Sequence, residues 1–105
     1  MIERGDTLLA ARGLTDAQDR LVTADEPLAE LQLACGGDLP GVLAVPELLV
    51  LVRQARSMDL RIAREFAAHD GDDRITGFAR VHPRGGEDGE GCELLVENWQ
   101  RQPNA

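Results

Sequence analysis

The chain has 105 residues, of which 43% are hydrophobic, a size and composition that fit one globular domain and exclude a disordered segment. Nineteen acidic side chains against 11 basic ones leave a formal net charge of −8. That balance excludes the usual nucleic-acid binder, whose affinity comes from cations neutralising phosphates, and disfavours an anionic membrane surface.

Every basic side chain apart from the two histidines is arginine, and lysine is absent. Beside abundant Ala, Arg, Gly and Asp, this reads as a coding bias. The aromatics are Phe66, Phe78 and Trp99 alone, so a site that stacks bases or rings has little to build from. Cys35 and Cys92 are far apart and in no CxxC spacing, which suits two free thiols of a cytosolic protein. The opening "MIERGDTLLAAR" carries no signal-peptide apolar stretch. The longest strictly apolar run, Leu48 to Val52, is far short of the ~20 residues a spanning helix needs. A cytoplasmic location is expected.

In chain order, Leu8 to Leu14 is an apolar stretch that ends at the turn-forming "TDAQD", and Arg20 to Ala24 follows as a short, partly β-branched run. Together they predict a hairpin. Asp25, Glu26 and Pro27 then make a helix start, with the Asp25 carboxylate expected to cap free amides. Leu28, Leu31 and Leu33 supply the apolar side of that helix, and "CGGDLPG" ends it. After Pro46, "ELLVLVRQARSM" predicts the longest helix, with Arg53, Gln54 and Ser57 on its polar side. Its buried stripe is expected to be Leu48, Leu51, Val52, Ala55 and Met58.

Three strand-length segments follow: "LRIAREFAAH", "RITGFARVH" and "CELLVENW". Ile75, Gly77, Ala79 and Val81 alternate with Thr76, Phe78, Arg80 and His82, and Cys92, Leu94 and Val96 alternate with Glu93, Leu95 and Glu97. Such period-two alternation marks a sheet with one face on a core. The connection "DGDD" is tight, whereas "PRGGEDGEG" is long. Two strands, helices and three more strands predict an α+β domain, the helices packed on one face of an antiparallel sheet.

The stretches "LTDAQDRLVTADEPLAEL", "GGDLPGVLAVPELLVLV" and "AREFAAHDGDDRITGFARVHPRGGEDGEGCELLVENW" together resemble a PAS domain of a bacterial sensor histidine kinase. The opening stretch is similar to the family's hairpin and first short helix, with Asp25 where asparagine is frequent. The middle one resembles the Gly-rich bend and long helix, and the last resembles the closing meander. The resemblance spans about Thr7 to Trp99 of a single domain over 1–105, with 100–105 beginning a C-terminal linker. It implies a five-stranded antiparallel sheet that pairs its first strand with its last, a homodimer, and a kinase or other signalling domain in the same parent chain. It also implies that the space between sheet and long helix can hold a small ligand, lined here by Leu48, Leu51, Val52 and Ala55. The outer sheet face and chain ends would carry dimer or interdomain contacts through Phe78, Leu95 and Trp99.

Flavin is disfavoured because the Asn-Cys-Arg-Phe motif is missing and Cys35 sits in "ACGGD". Haem is disfavoured because no histidine lies between Glu47 and Met58. No cofactor is predicted, and an unknown small ligand stays open. His69, Asp70, Asp72 and Asp73 could ligate a metal, but Asp-Gly between alternating runs is a strong hairpin signal, so the stretch reads as a turn. Ser57, the one serine, lies outside any G-x-S-x-G motif, and "GGDLPG" lacks a cation for a phosphate. No catalytic residue is assigned, and the domain is read as regulatory. The alternatives are a small-molecule-binding enzyme or carrier on another small α+β scaffold, and a metal-responsive domain using the His69 loop.

Overall fold

The structure, a computed structural model, describes residues 10–84 and 91–102. The expectations that fall on Thr7 to Leu9, on most of "PRGGEDGEG" and on the last three residues lie outside these.

The chain forms β1 (Ala11–Thr15), β2 (Arg20–Ala24), α1 (Glu26–Ala34), β3 (Gly41–Val42), α2 (Pro46–Met58), β4 (Ile62–Asp70), β5 (Asp73–Pro83) and β6 (Cys92–Gln102). The six strands make one antiparallel sheet in the order β3-β2-β1-β6-β5-β4. The fold is α+β, with β1 and β6 paired at the centre and a hairpin on either side. The sheet has six strands rather than the expected five. The extra strand, β3, is two residues inside the segment read as a bend, too short to show any periodicity.

Local chemistry accounts for the turns. Asp16 closes the β1–β2 turn: its Oδ1 accepts from the amides of Gln18 (2.9 Å) and Arg20 (3.0 Å). Asp70 pairs with Asp73, and Gly71 at φ 63° supplies the left-handed residue that a two-residue hairpin turn requires. The "DGDD" stretch is thus a turn. Its outer aspartates are taken by one guanidinium, with Arg101 reaching Asp70 at 2.9 Å and Asp73 at 2.6 Å.

Alternation then builds the core. Ile75, Ala79 and Val81 of β5 and Cys92, Leu94 and Val96 of β6 are buried on one face. Helix α1 lies over β1 and β2, and α2 over β4, β5 and β6. Leu48, Leu51, Val52 and Ala55 of α2 are buried in the same cluster as Leu28 and Leu31 of α1. Full burial of one such leucine or valine is worth about 1.5–3 kcal/mol, which makes this face the main source of stability.

Three expectations fail locally. Met58 is 59% exposed, because α2 ends there and Asp59 turns the chain away at φ 54°. Leu33 is 56% exposed while Gln32 is buried, since residues 28, 31 and 32 share a helix face and 33 points elsewhere. The Asp25 carboxylate does not cap α1. It accepts from the Arg12 amide (3.0 Å), while the Asp25 amide donates to the Arg12 carbonyl (2.8 Å), so the helix start is tied to β1.

Candidate functional site: the outer sheet face

With both helices on one face, strand register dictates what the other face presents. Arg12, Leu95, Arg80 and Ala63 lie side by side across β1, β6, β5 and β4. Leu14, Glu93 and His82 form the row on one side, and Glu97, Phe78 and Glu65 the row on the other. The arginines flanking Leu95 reach diagonally. Arg12 Nε meets Glu93 Oε2 at 3.1 Å, and Arg80 Nε meets Glu97 Oε1 at 2.9 Å. The Arg80 guanidinium also lies 5.1 Å from the centre of the Phe78 ring. Leu95 and Phe78, both half-buried, are therefore apolar spots inside a lattice of ion pairs. Exposed pairs of this kind add little stability, and the combination of apolar spots with a charged rim suits a reversible protein contact.

Trp99 belongs to the other face. Up to Val96 the even-numbered residues of β6 point into the core, so simple alternation would send Trp99 outward. Asn98, at φ 57°, inserts a bulge where Gly77 of β5 lies opposite. Register resumes at Thr76↔Gln100, and Trp99 is turned inward against the core. Its ring meets Phe66 edge-on, with centroids 6.2 Å apart at 89°. Gly77 is required here, because a Cβ would stand 2.9 Å from the Phe66 ring. The Trp99 Nε1 is buried and has no hydrogen-bond partner among the described residues.

Two cavities share Trp99 and Gln100 of this bulge as lining. A groove of about 550 Å³ opens beside Glu65, Thr76, Phe78, Asn98 and Gln100. A cleft of about 340 Å³ lies under α1, between Pro27 and Leu31 on one side and Ile75 and Trp99 on the other. A third, wider cavity of about 930 Å³ separates the end of α1 from the start of α2 and is lined by Cys35 and His69. Leu48, Leu51, Val52 and Ala55 line none of these three; they are closed core.

No family model matches this chain, and no curated protein or solved structure matches it.

The two cysteine thiols have backbone partners. The Cys35 thiol donates to the His69 carbonyl (3.4 Å), and burial, then the nearby Asp70 charge, push its pKa up, which keeps it protonated. Burial likewise pushes Cys92 up. Among the described residues no three of His, Cys, Asp or Glu are grouped as metal ligands would be.

Two residues that carry no motif organise the site's surroundings. Gln32 Nε2 donates to the carbonyls of Asp38 and Val42, both at 2.9 Å, and its Oε1 accepts from the Ala44 amide at 3.0 Å. One buried amide thus shapes the whole loop that carries β3. Asp19, buried in the β1–β2 turn at φ 65°, receives Arg53 and Arg56 from α2. The only signals along the chain are a glutamine among leucines and an aspartate at a turn's end.

Proposed function

We propose that the chain is a cytoplasmic PAS-type sensory and association module of a two-component sensor histidine kinase, without catalytic activity of its own. The observation that carries this reading is the strand order: β1 beside β6 at the centre, one hairpin on each side, and both helices on one face. The outer face supports it. Leu95 and Phe78, set among arginine–glutamate pairs, make a surface for a neighbouring domain to rest on and leave.

The sensing half of the proposal moves away from the helix stripe, because Leu48, Leu51, Val52 and Ala55 are packed shut. A small ligand fits better in the cleft under α1, where Trp99 meets Leu31 and Ile75. Occupying it would bias how α1 sits on the sheet, and β6, which carries Trp99 on one face and Leu95 on the other, would pass that bias outward.

Native mass spectrometry of the purified chain, followed by a denaturing run, tests the reading. The expected result is extra mass that disappears on denaturation and is lost in Trp99→Ala. A bare monomeric mass, with tryptophan emission unresponsive to extracts that restore no bound species, overturns the sensory assignment.

A further inference from the structure

The two edges of the sheet are finished differently. At one end β3 is two residues long and follows Pro40, which leaves little for another chain to pair with. At the other end β4 is nine residues long, and among the described residues only its second half is covered. The Ala67 amide donates to Glu47 Oε1 (2.9 Å), and the His69 carbonyl accepts from the Cys35 thiol (3.4 Å). Backbone groups of alternate residues point the same way, so those of Ala63 and Glu65 also face outward. Among the described residues nothing takes them, and Ala63, Arg64 and Glu65 are exposed.

Charge placement selects what fits. In antiparallel pairing, outward-facing residues must oppose outward-facing residues, which allows two-fold registers centred on Ile62, Ala63, Arg64 or Glu65. Centres at Arg64 or Glu65 set like charges directly opposite, and a centre at Ile62 sets Asp59 opposite Glu65. Like charges in those positions oppose association. A centre at Ala63 alone is self-complementary. Ala63 meets its own copy, Ile62 lies under the aliphatic stem of Arg64, and Arg61 faces Glu65 twice, once on each side of the axis. Arg61, Arg64 and Glu65 have no ion pair within the chain among the described residues, although seven others are made. Beside them, Met58 and Leu60 hold 59% and 51% of their surface open, next to the would-be partner.

We propose that the exposed half of β4 is a homodimer interface, in which a second copy of this chain pairs antiparallel about Ala63 and continues the sheet. This goes beyond the sensory reading and does not depend on it. The two-fold axis stands perpendicular to the sheet, so the outer faces of both copies lie on one side, free for another domain.

Analytical ultracentrifugation over a concentration series, with charge-swapped variants, tests the proposal. The 105-residue chain is expected to form a dimer that Glu65→Arg weakens at least about tenfold, since both facing pairs become repulsive. Arg61→Glu together with Glu65→Arg in one chain restores it, while Leu95→Glu leaves it unchanged. Oxidation of Ala63→Cys cross-links two copies through position 63, since facing residues in such a pair have Cα atoms about 5.5 Å apart, within disulfide reach. A chain that stays monomeric, a dimer indifferent to Glu65→Arg, or a dimer abolished by Leu95→Glu overturns it. Both charged side chains are exposed, so circular dichroism of the variants should show an unchanged fold.

Discussion

The Asp19 carboxylate, 7% exposed in the β1–β2 turn, accepts from Arg56 through Nε (3.0 Å) and Nη2 (3.1 Å), and from Arg53 Nε at 3.2 Å. The Asp19 carbonyl accepts from the Leu43 amide beyond β3 (3.2 Å). One residue therefore holds the hairpin, the edge strand and α2 together. Asp19→Asn keeps the left-handed backbone that asparagine tolerates and removes only the charge. The expected loss is about 1–3 kcal/mol in urea unfolding, because a buried acceptor of two cations is replaced by a neutral amide. An unchanged midpoint would mean that the arginines contribute nothing here.

Gln32→Leu tests the second anchor. The substitution preserves approximate volume and helix propensity but leaves the Asp38 and Val42 carbonyls and the Ala44 amide without their partner. A loss of about 2–4 kcal/mol is expected, with water recovering part of each bond. Hydrogen exchange should rise at Gly41 and Val42 ahead of the rest of the sheet, since their pairing with β2 is the shortest ladder among the described residues.

The bulge makes an asymmetric prediction. Gly77→Ala drives a methyl into the Phe66 ring and toward the Glu97 carbonyl, 3.1 Å away, and is expected to destabilise by about 1–3 kcal/mol. Trp99→Phe removes an indole N–H that has no partner among the described residues, and the lost area is offset by relief of that buried donor. It should cost about 1 kcal/mol or less. Chemical denaturation followed by circular dichroism compares the two without relying on tryptophan emission.

Asp16 gives the pH dependence its sign. Burial alone would raise its pKa, but backbone bonds from Arg20 and Gln18 and the Arg20 guanidinium outweigh that and hold the carboxyl below the usual range. A carboxylate with a lowered folded-state pKa stabilises the fold above its unfolded pKa, and the contribution disappears as pH falls through the folded value. Unfolding measured from neutral pH downward should therefore lose stability below about pH 4, and Asp16→Asn should flatten that part of the curve. A variant curve parallel to wild type would remove Asp16 from the account.

Much of the fold is legible along the chain because its causes are local. Asp-Gly at positions 70 and 71 makes a turn whatever surrounds it, and alternation in Ile75–Val81 and Cys92–Val96 sorts a face in from a face out. Leu48, Leu51, Val52 and Ala55 have helical spacing, which puts them on one face of α2, and that face is the buried one. The outer-face positions of Phe78 and Leu95 follow from the same alternation.

What local pattern cannot carry is any relation between distant residues. Alternation through Leu94 and Val96 would turn Trp99 outward; the bulge opposite Gly77 reverses it, and a bulge exists only where two strands meet. β3 forms because Gln32, a helix residue, holds the carbonyls of its loop. Asp19 is an ordinary turn aspartate until α2 brings Arg53 and Arg56 to it. Two of the three cavities lie at Trp99 and none of the three along the helix stripe for the same reason: whether a space is filled depends on how elements pack, not on the period of any one of them. Neighbours a few residues apart settle the two helices, the five longer strands and the tight turns, so these can be read along the chain. The sixth strand, the side on which Trp99 lies and the open stretch of β4 arise from residues far apart, and they exist only once the sheet is assembled.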